Sequence, residues 1–341
     1  MKKFALFIFI LISLFCFMAN LNAQDSRVNN FSLKNLLTYQ YRTSVITIQK
    51  LAFKDDLQYA YNVTFTSMGL TVSGRLSIPA SVKIENIKGI VIMLRGYQRP
   101  SAYYTGKGTE NPAKGYLEHG WAIIAPDFFG YANSSPTPPP AFLHQFYSTI
   151  NTVELYKSLE LASAPQIGPR FQVFQYSSAV PMTDRITLPG SFNKIVLWGH
   201  SNGGQVSFHF LEVIQKPVTA VIWAPTALSF PDSAGHFGQG AAWVETFREL
   251  YHADDFMLIN FLDRIAGGTR IRLNQGDNDN STPKAWSDAL SKAIEEENIR
   301  RDASGRERIH LYYEVYRGAD HNLNPYRAAI LPRDVLFWEE N

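Results

Sequence analysis

The chain has 341 residues, 45% of them apolar and 18% charged, with 32 Lys plus Arg against 30 Asp plus Glu and one cysteine, Cys16. An apolar fraction of this size in a chain this long fills a sizeable core, so disorder is excluded as the main state. The formal charge of +2 resides in Lys2 and Lys3; without them the charges balance, which leaves none of the clustered cations that nucleic-acid binding uses to replace counterions.

Those two lysines open a segment that is apolar from residue 4 to residue 18 except for Ser13, and Leu21-Asn22-Ala23 follows it. A charged start, an apolar stretch and a small boundary residue are the parts of a secretory signal peptide, here residues 1–23 with cleavage after Ala23. A retained anchor or a lipid on Cys16 are the alternatives. The run is short for the hydrocarbon core of a bilayer, and no other segment is apolar enough to span one. The expectation is a secreted or periplasmic protein with no stable membrane insertion after processing. Cleavage also removes Cys16, leaving neither a disulfide nor a thiol nucleophile.

Residues 57–66 and 70–78 alternate apolar and polar side chains around Ser67-Met68-Gly69, the pattern of an antiparallel hairpin. Beyond it the pattern changes to short apolar runs without alternation, at 89–94, 121–125, 195–198, 218–223 and 271–273, with helix-length stretches between them. Strands buried on both faces and joined by crossover helices make a parallel sheet. The predicted architecture is a single α/β domain over residues 24–341, a mostly parallel central sheet entered through an N-terminal antiparallel hairpin, with helices on both faces. Segments 134–192 and 224–268 exceed a simple crossover and are read as small cap insertions or as extra cover for the sheet.

The run Ile195-Val196-Leu197-Trp198-Gly199-His200-Ser201-Asn202-Gly203-Gly204 leads into an apolar helical pattern that Pro217 ends. A buried strand that turns through GxSxG into a helix lifts the serine hydroxyl above the sheet edge, at a helix N-terminus where N–H groups meet a developing anion. Gly199 and Gly203 are needed because side chains there would collide with strand and helix. GxSxG alone is a weak signal; its strand-turn-helix context is much rarer. A serine nucleophile needs a base and an acid to orient it. Asp277 and Asp279 follow the strand at 271–273, and Asp320 and His321 follow a strand at 309–316, so carboxylates and an imidazole sit at the C-terminal strand edge where sites of open parallel sheets assemble.

With these residues the chain resembles the α/β-hydrolases, in the branch shared by prolyl-oligopeptidase-like serine hydrolases and secreted esterases. The family's acid loop, GxxDxxxP, matches Gly276, Asp279 and Pro283, which implies Asp279 as the acid, with Asp277 the alternative. Gly318 to His321 match GxxH. The resemblance thus implies a triad of Ser201, Asp279 and His321. Thr282 and Pro283 are read as cap and first residue of the next helix. The other histidines, His200 among them, are read as structural or surface residues. For the oxyanion hole, the residue after the nucleophile is Asn202; by resemblance the second donor is Tyr97, in the loop Arg95-Gly96-Tyr97-Gln98, with an ordinary loop aromatic as the other reading. Arg95-Gly96 departs from the family's His-Gly. Residues 127–134 resemble the family's DxxGxGxS segment, with Tyr131-Ala132 in place of the second glycine.

The resemblance implies a serine hydrolase acting on a small or medium acyl ester through an acyl-enzyme on Ser201. A propeller-free serine peptidase with a peptide substrate is the second reading, since the stretch ahead of residue 89 leaves no room for a propeller. A catalytically silent binding protein on the same fold is the reading from another class. Phe128, Phe129 and Trp223 are candidates to line the substrate pocket, with packing of the cap as the alternative. No metal or phosphate motif is present, and chemistry at Ser201 calls for no cofactor.

Overall fold

A computed structural model describes residues 27–163 and 173–340; the expected signal segment, with Cys16, lies outside them. Period-two alternation forms β2 (Gln58–Ser67) and β3 (Leu70–Pro79), antiparallel partners whose register closes at Ser67 and Leu70. Met68 and Gly69 make the two-residue turn with φ of 53° and 75°, the left-handed values that suit the twist of flanking strands. Ahead of them β1 (Ile46–Lys54) pairs antiparallel with β2, and this strand is not expected from the sequence. Its register shifts between Ile48 and Lys50 and again between Leu51 and Phe53, and each shift breaks the alternation that marks a strand.

The apolar runs become β4 (Gly89–Leu94), β5 (Trp121–Pro126), β7 (Ile195–His200), β8 (Thr219–Trp223) and β9 (Arg270–Gly276), joined by β10 (His310–Tyr316). All six run parallel. The sheet order is β10-β9-β8-β7-β4-β5-β3-β2-β1-β6, where β6 (Phe174–Tyr176) lies parallel to β1 and β5 meets β3 antiparallel. Every residue of β4 and β5 is buried, which explains runs without polar alternation.

Neighbouring residues of β4 point to opposite faces. Ile90, Ile92 and Leu94 join a core with α2 (His144–Ser163), α3 (Asn202–Ile214) and α5 (Lys284–Ala303). Val91 and Met93 join another with α1 (Glu110–Glu118) and α6 (Arg327–Glu339). Segment 134–192 supplies α2 on one sheet face and β6 at the sheet edge. Segment 224–268 folds into short turns and α4 (Ala241–Leu250), packed through Phe230, Phe247 and Phe256. Among the described residues no helix is long and apolar enough to cross a membrane.

Candidate active site

The turn from β7 into α3 is as tight as its glycines require. A Cβ on Gly199 would strike Ser207 Oγ and Gly203 O, and one on Gly203 would strike Leu94 O. Ser201 has φ 56° and ψ −119°, a strained conformation held by its N–H to Trp223 O (3.1 Å) and by Thr226 N–H to its own carbonyl (2.9 Å). Helix α3 starts at Asn202 and ends on Gln215, which has φ 51°, two residues before Pro217.

The loop after β9 separates its two acids. Asp277 is exposed and accepts the Gly318 N–H, so it ties two loops together. Asp279 is buried. Its Oδ1 accepts N–H groups from Ser281 and Thr282 (2.8 and 2.9 Å), and its Oδ2 accepts from Thr282 Oγ1 (2.7 Å), Gln275 Nε2 (3.2 Å) and His321 Nδ1 (2.8 Å). Burial would raise its pKa, but the bonds from His321 and Thr282 outweigh burial and hold it at about 2. Thr282 departs from the expected helix cap: its hydroxyl turns to Asp279 and to Ala224 O (3.0 Å), and the helix starts at Lys284 without a side-chain cap.

His321 and Ser201 border one cavity of about 820 Å³, with no hydrogen bond between them among the described residues. Such contacts often tighten only when substrate is bound. His200, read from sequence as structural or surface, also faces this cavity. It packs on His321 with ring centroids 4.7 Å apart, and its Nε2 lies 2.9 Å from His321 O. Burial, and then the charge of His321, lower the His200 pKa to about 4, so His200 is neutral and Nε2–H donates.

Asn202 and Tyr97 line the same cavity, and neither backbone N–H meets an acceptor among the described residues. A Cβ on Gly96 would come within 3.0 Å of Ser201 Cβ, so the loop after β4 abuts the serine. The expected pocket aromatics divide. Trp223 borders the large cavity and donates its indole N–H to Asp334 Oδ2 (2.9 Å). Phe128 and Phe129 instead line a smaller cavity of about 200 Å³ that shares Tyr97, Ala141, His144 and Asn202 with the first. Gln145, which no motif marks, donates to Asn202 Oδ1 (3.0 Å) and Gln205 Oε1 (2.8 Å) and so braces the start of α3. Among the described residues no group of three or more His, Cys, Asp or Glu is placed to hold a metal ion.

The family model of the α/β hydrolase fold matches residues 109–258, the stretch from α1 through the elbow to the turns after β8. The chain has the α/β-hydrolase fold, which it shares with solved structures of both peptidases and esterases. It superposes on acetyl xylan esterase 1 from Thermoanaerobacterium sp. JW/SL YS485 with a TM-score of 0.57 at 12% identity, covering 94% of each chain. A dipeptidyl aminopeptidase IV-like protein from Bacteroides ovatus matches with a TM-score of 0.56 at 13% identity over 84% of this chain, which spans 36% of that protein's length. Est1E from Butyrivibrio proteoclasticus matches with a TM-score of 0.51 at 14% identity, over 81% of this chain and 96% of its own. At these identities the likeness is one of fold. No curated protein sequence matches the chain.

Proposed function

We propose that the protein is an exported serine hydrolase that cleaves esters of small or medium acyl groups through an acyl-enzyme on Ser201. The observation that carries this reading is the bond of 2.8 Å from His321 Nδ1 to a carboxylate with four other donors, at a cavity where Ser201 stands on a strained elbow. An ionised Asp279 keeps hydrogen on Nδ1 and leaves Nε2 free to take the Ser201 proton as Oγ attacks the carbonyl. The proton then passes to the leaving alcohol. The free N–H groups of Asn202 and Tyr97 receive the oxyanion, and water released of its proton by His321 frees the acid.

The smaller cavity, beside both oxyanion donors and walled by Phe128 and Phe129, suits a short acyl chain, and the larger one with Trp223 takes the leaving group. An ester is favoured over a peptide amine terminus because Glu110, the one carboxylate on the large cavity's wall among the described residues, is already bonded by Tyr104 OH (2.7 Å). The fold neighbours support the same choice: two are acetyl xylan esterases, and Est1E is known with ferulic acid bound.

A fluorophosphonate probe is expected to label Ser201 and to leave Ser201→Ala unlabelled. A folded protein that takes no label would favour the binding-protein reading. In a panel of acyl-chain esters beside aminoacyl amides, faster amide turnover would reverse the ranking of esterase and peptidase. Export rests on the sequence of residues 1–23; the mature N-terminus in the culture medium or periplasm is expected to be Gln24, and recovery of the intact chain in the cytoplasm argues against it.

A further inference from the structure

The two places where the sequence departs from the family pattern, Arg95 and Tyr131, meet in the structure. Arg95 is 3% exposed, yet it forms no ion pair among the described residues. Its guanidinium lies 3.9 Å from the ring centroid of Tyr131, 4.6 Å from that of Tyr103 and 5.7 Å from that of Phe128. Tyr103 is held in turn by its hydroxyl on Asp127 Oδ1 (2.6 Å), and Tyr131 by its hydroxyl on Gln98 O (2.9 Å). A buried cation without a counter-charge is costly and persists where π faces and carbonyls replace water.

The carbonyls it holds are specific. Arg95 Nη1 donates to Gly96 O (3.0 Å) and Nη2 to Asp127 O (2.8 Å). The C=O of Gly96 and the N–H of Tyr97 belong to one planar trans peptide and point in opposite directions. A guanidinium that grips the carbonyl therefore aims the N–H away from itself, and that N–H meets no acceptor among the described residues, on the loop abutting Ser201. We infer that Arg95, held in the Tyr103–Tyr131 cage, is a positioning residue that orients and polarises the Gly96–Tyr97 peptide so that the Tyr97 N–H serves as an oxyanion donor. The inference rests on the proposed role of Ser201. A lysine keeps the charge but lacks the fork that holds both carbonyls.

The test compares the full chain with Arg95→Gln and Arg95→Lys, using p-nitrophenyl acetate kinetics and hydrogen exchange of the amides of residues 95–98. In Arg95→Gln, kcat is expected to fall on the order of 10- to 100-fold with KM within about threefold, because a misaimed donor is lost in the transition state and not in substrate binding. Exchange of the loop amides should rise by about tenfold, the equivalent of one lost hydrogen bond. Arg95→Lys should fall between the wild type and the glutamine variant in both readouts. If the glutamine variant does not fold, the lysine variant decides alone. Unchanged kcat in a folded variant overturns the inference, and so does a fall in kcat with unchanged loop exchange. A wild type that takes no fluorophosphonate label sinks the role of Ser201 instead, and loop exchange still reports on the clamp.

Discussion

Two of the buried carboxylates of this protein, Asp279 and Asp334, behave in opposite ways. Asp279, in the loop after β9, is held at about 2, whereas burial raises Asp334, on α6 behind the sheet, to about 7 against the pull of Arg272 and its hydrogen bonds. Both accept several bonds. Asp334 takes Tyr116 OH and Trp223 Nε1 on Oδ2 (2.9 Å each) and Asn274 Nδ2 on Oδ1 (3.3 Å). Arg272 Nε lies 3.2 Å from Oδ1 without hydrogen-bond alignment, while Nη2 of the same guanidinium is turned to Glu314 and Tyr316. Asp279 has two backbone N–H groups fixed by its own loop and an imidazole that gains a proton during the proposed reaction. Aligned donors, not burial, decide which acid stays charged. Asp279 holds the imidazole that borders the cavity, and Asp334, whose raised pKa favours its protonated form, bonds α1, β8 and β9 to α6.

The sharpest test of this contrast exchanges each acid for its amide. Asp279→Asn presents N–H where His321 needs an acceptor on Nδ1, which favours the wrong tautomer, and kcat for ester hydrolysis is expected to fall about 10⁴-fold. Asp334→Asn should leave kcat within about threefold, since among the described residues its direct bond to a residue of the cavity wall is the one from the Trp223 indole, and none reaches Ser201 or His321. Comparable losses in the two variants would remove the functional distinction between them.

Stability should respond to pH with opposite signs at the two sites. An unfolded aspartate ionises near pH 3.9. Between about pH 4 and 7 the unfolded chain loses the Asp334 proton while the folded protein keeps it, so stability falls as pH rises, by on the order of 1.4 kcal/mol per pH unit for this one group. Asp279 contributes stability that is fully present above pH 4 and is lost as pH falls through about 2. Denaturant titrations at several pH values, wild type minus Asp334→Asn, should show the first slope; a difference that is flat from pH 4 to 7 means that Asp334 is ionised when folded.

Much of this layout is legible in the chain. Parallel strands buried on both faces leave unbroken apolar runs, and the elbow leaves glycines where neighbouring backbone forbids a Cβ, so β4, β7 and the Ser201 turn stand out. Strand β1 does not, because two register shifts scramble its period. The distinction between Asp277 and Asp279 came from the family pattern, and the loop geometry that separates them, two N–H groups closing on one carboxylate, is invisible in spacing. Gln145 and His200 were missed for a further reason: each touches a residue that only the folded sheet brings near, Asn202 and His321.

Smaller effects refine the account of Asp279. Thr282→Val keeps the shape of the side chain and removes the hydroxyl that reaches Asp279 Oδ2 (2.7 Å) and Ala224 O (3.0 Å). The loss should cost about 1 kcal/mol of stability and about tenfold in kcat, measured by chemical denaturation and steady-state kinetics on the same preparation. An unchanged kcat would mean that the backbone N–H groups suffice to aim the carboxylate. Smallest is Asp277→Asn. This side chain is exposed and its side-chain hydrogen bond among the described residues, accepted from the Gly318 N–H, is one that an amide oxygen can also accept. Activity should stay within about twofold of wild type, as surface changes that keep their partner usually do. A loss approaching that of Asp279→Asn would show that the loop exchanges its two acids during turnover, and the contrast between a fixed charged carboxylate and its exposed neighbour would no longer hold.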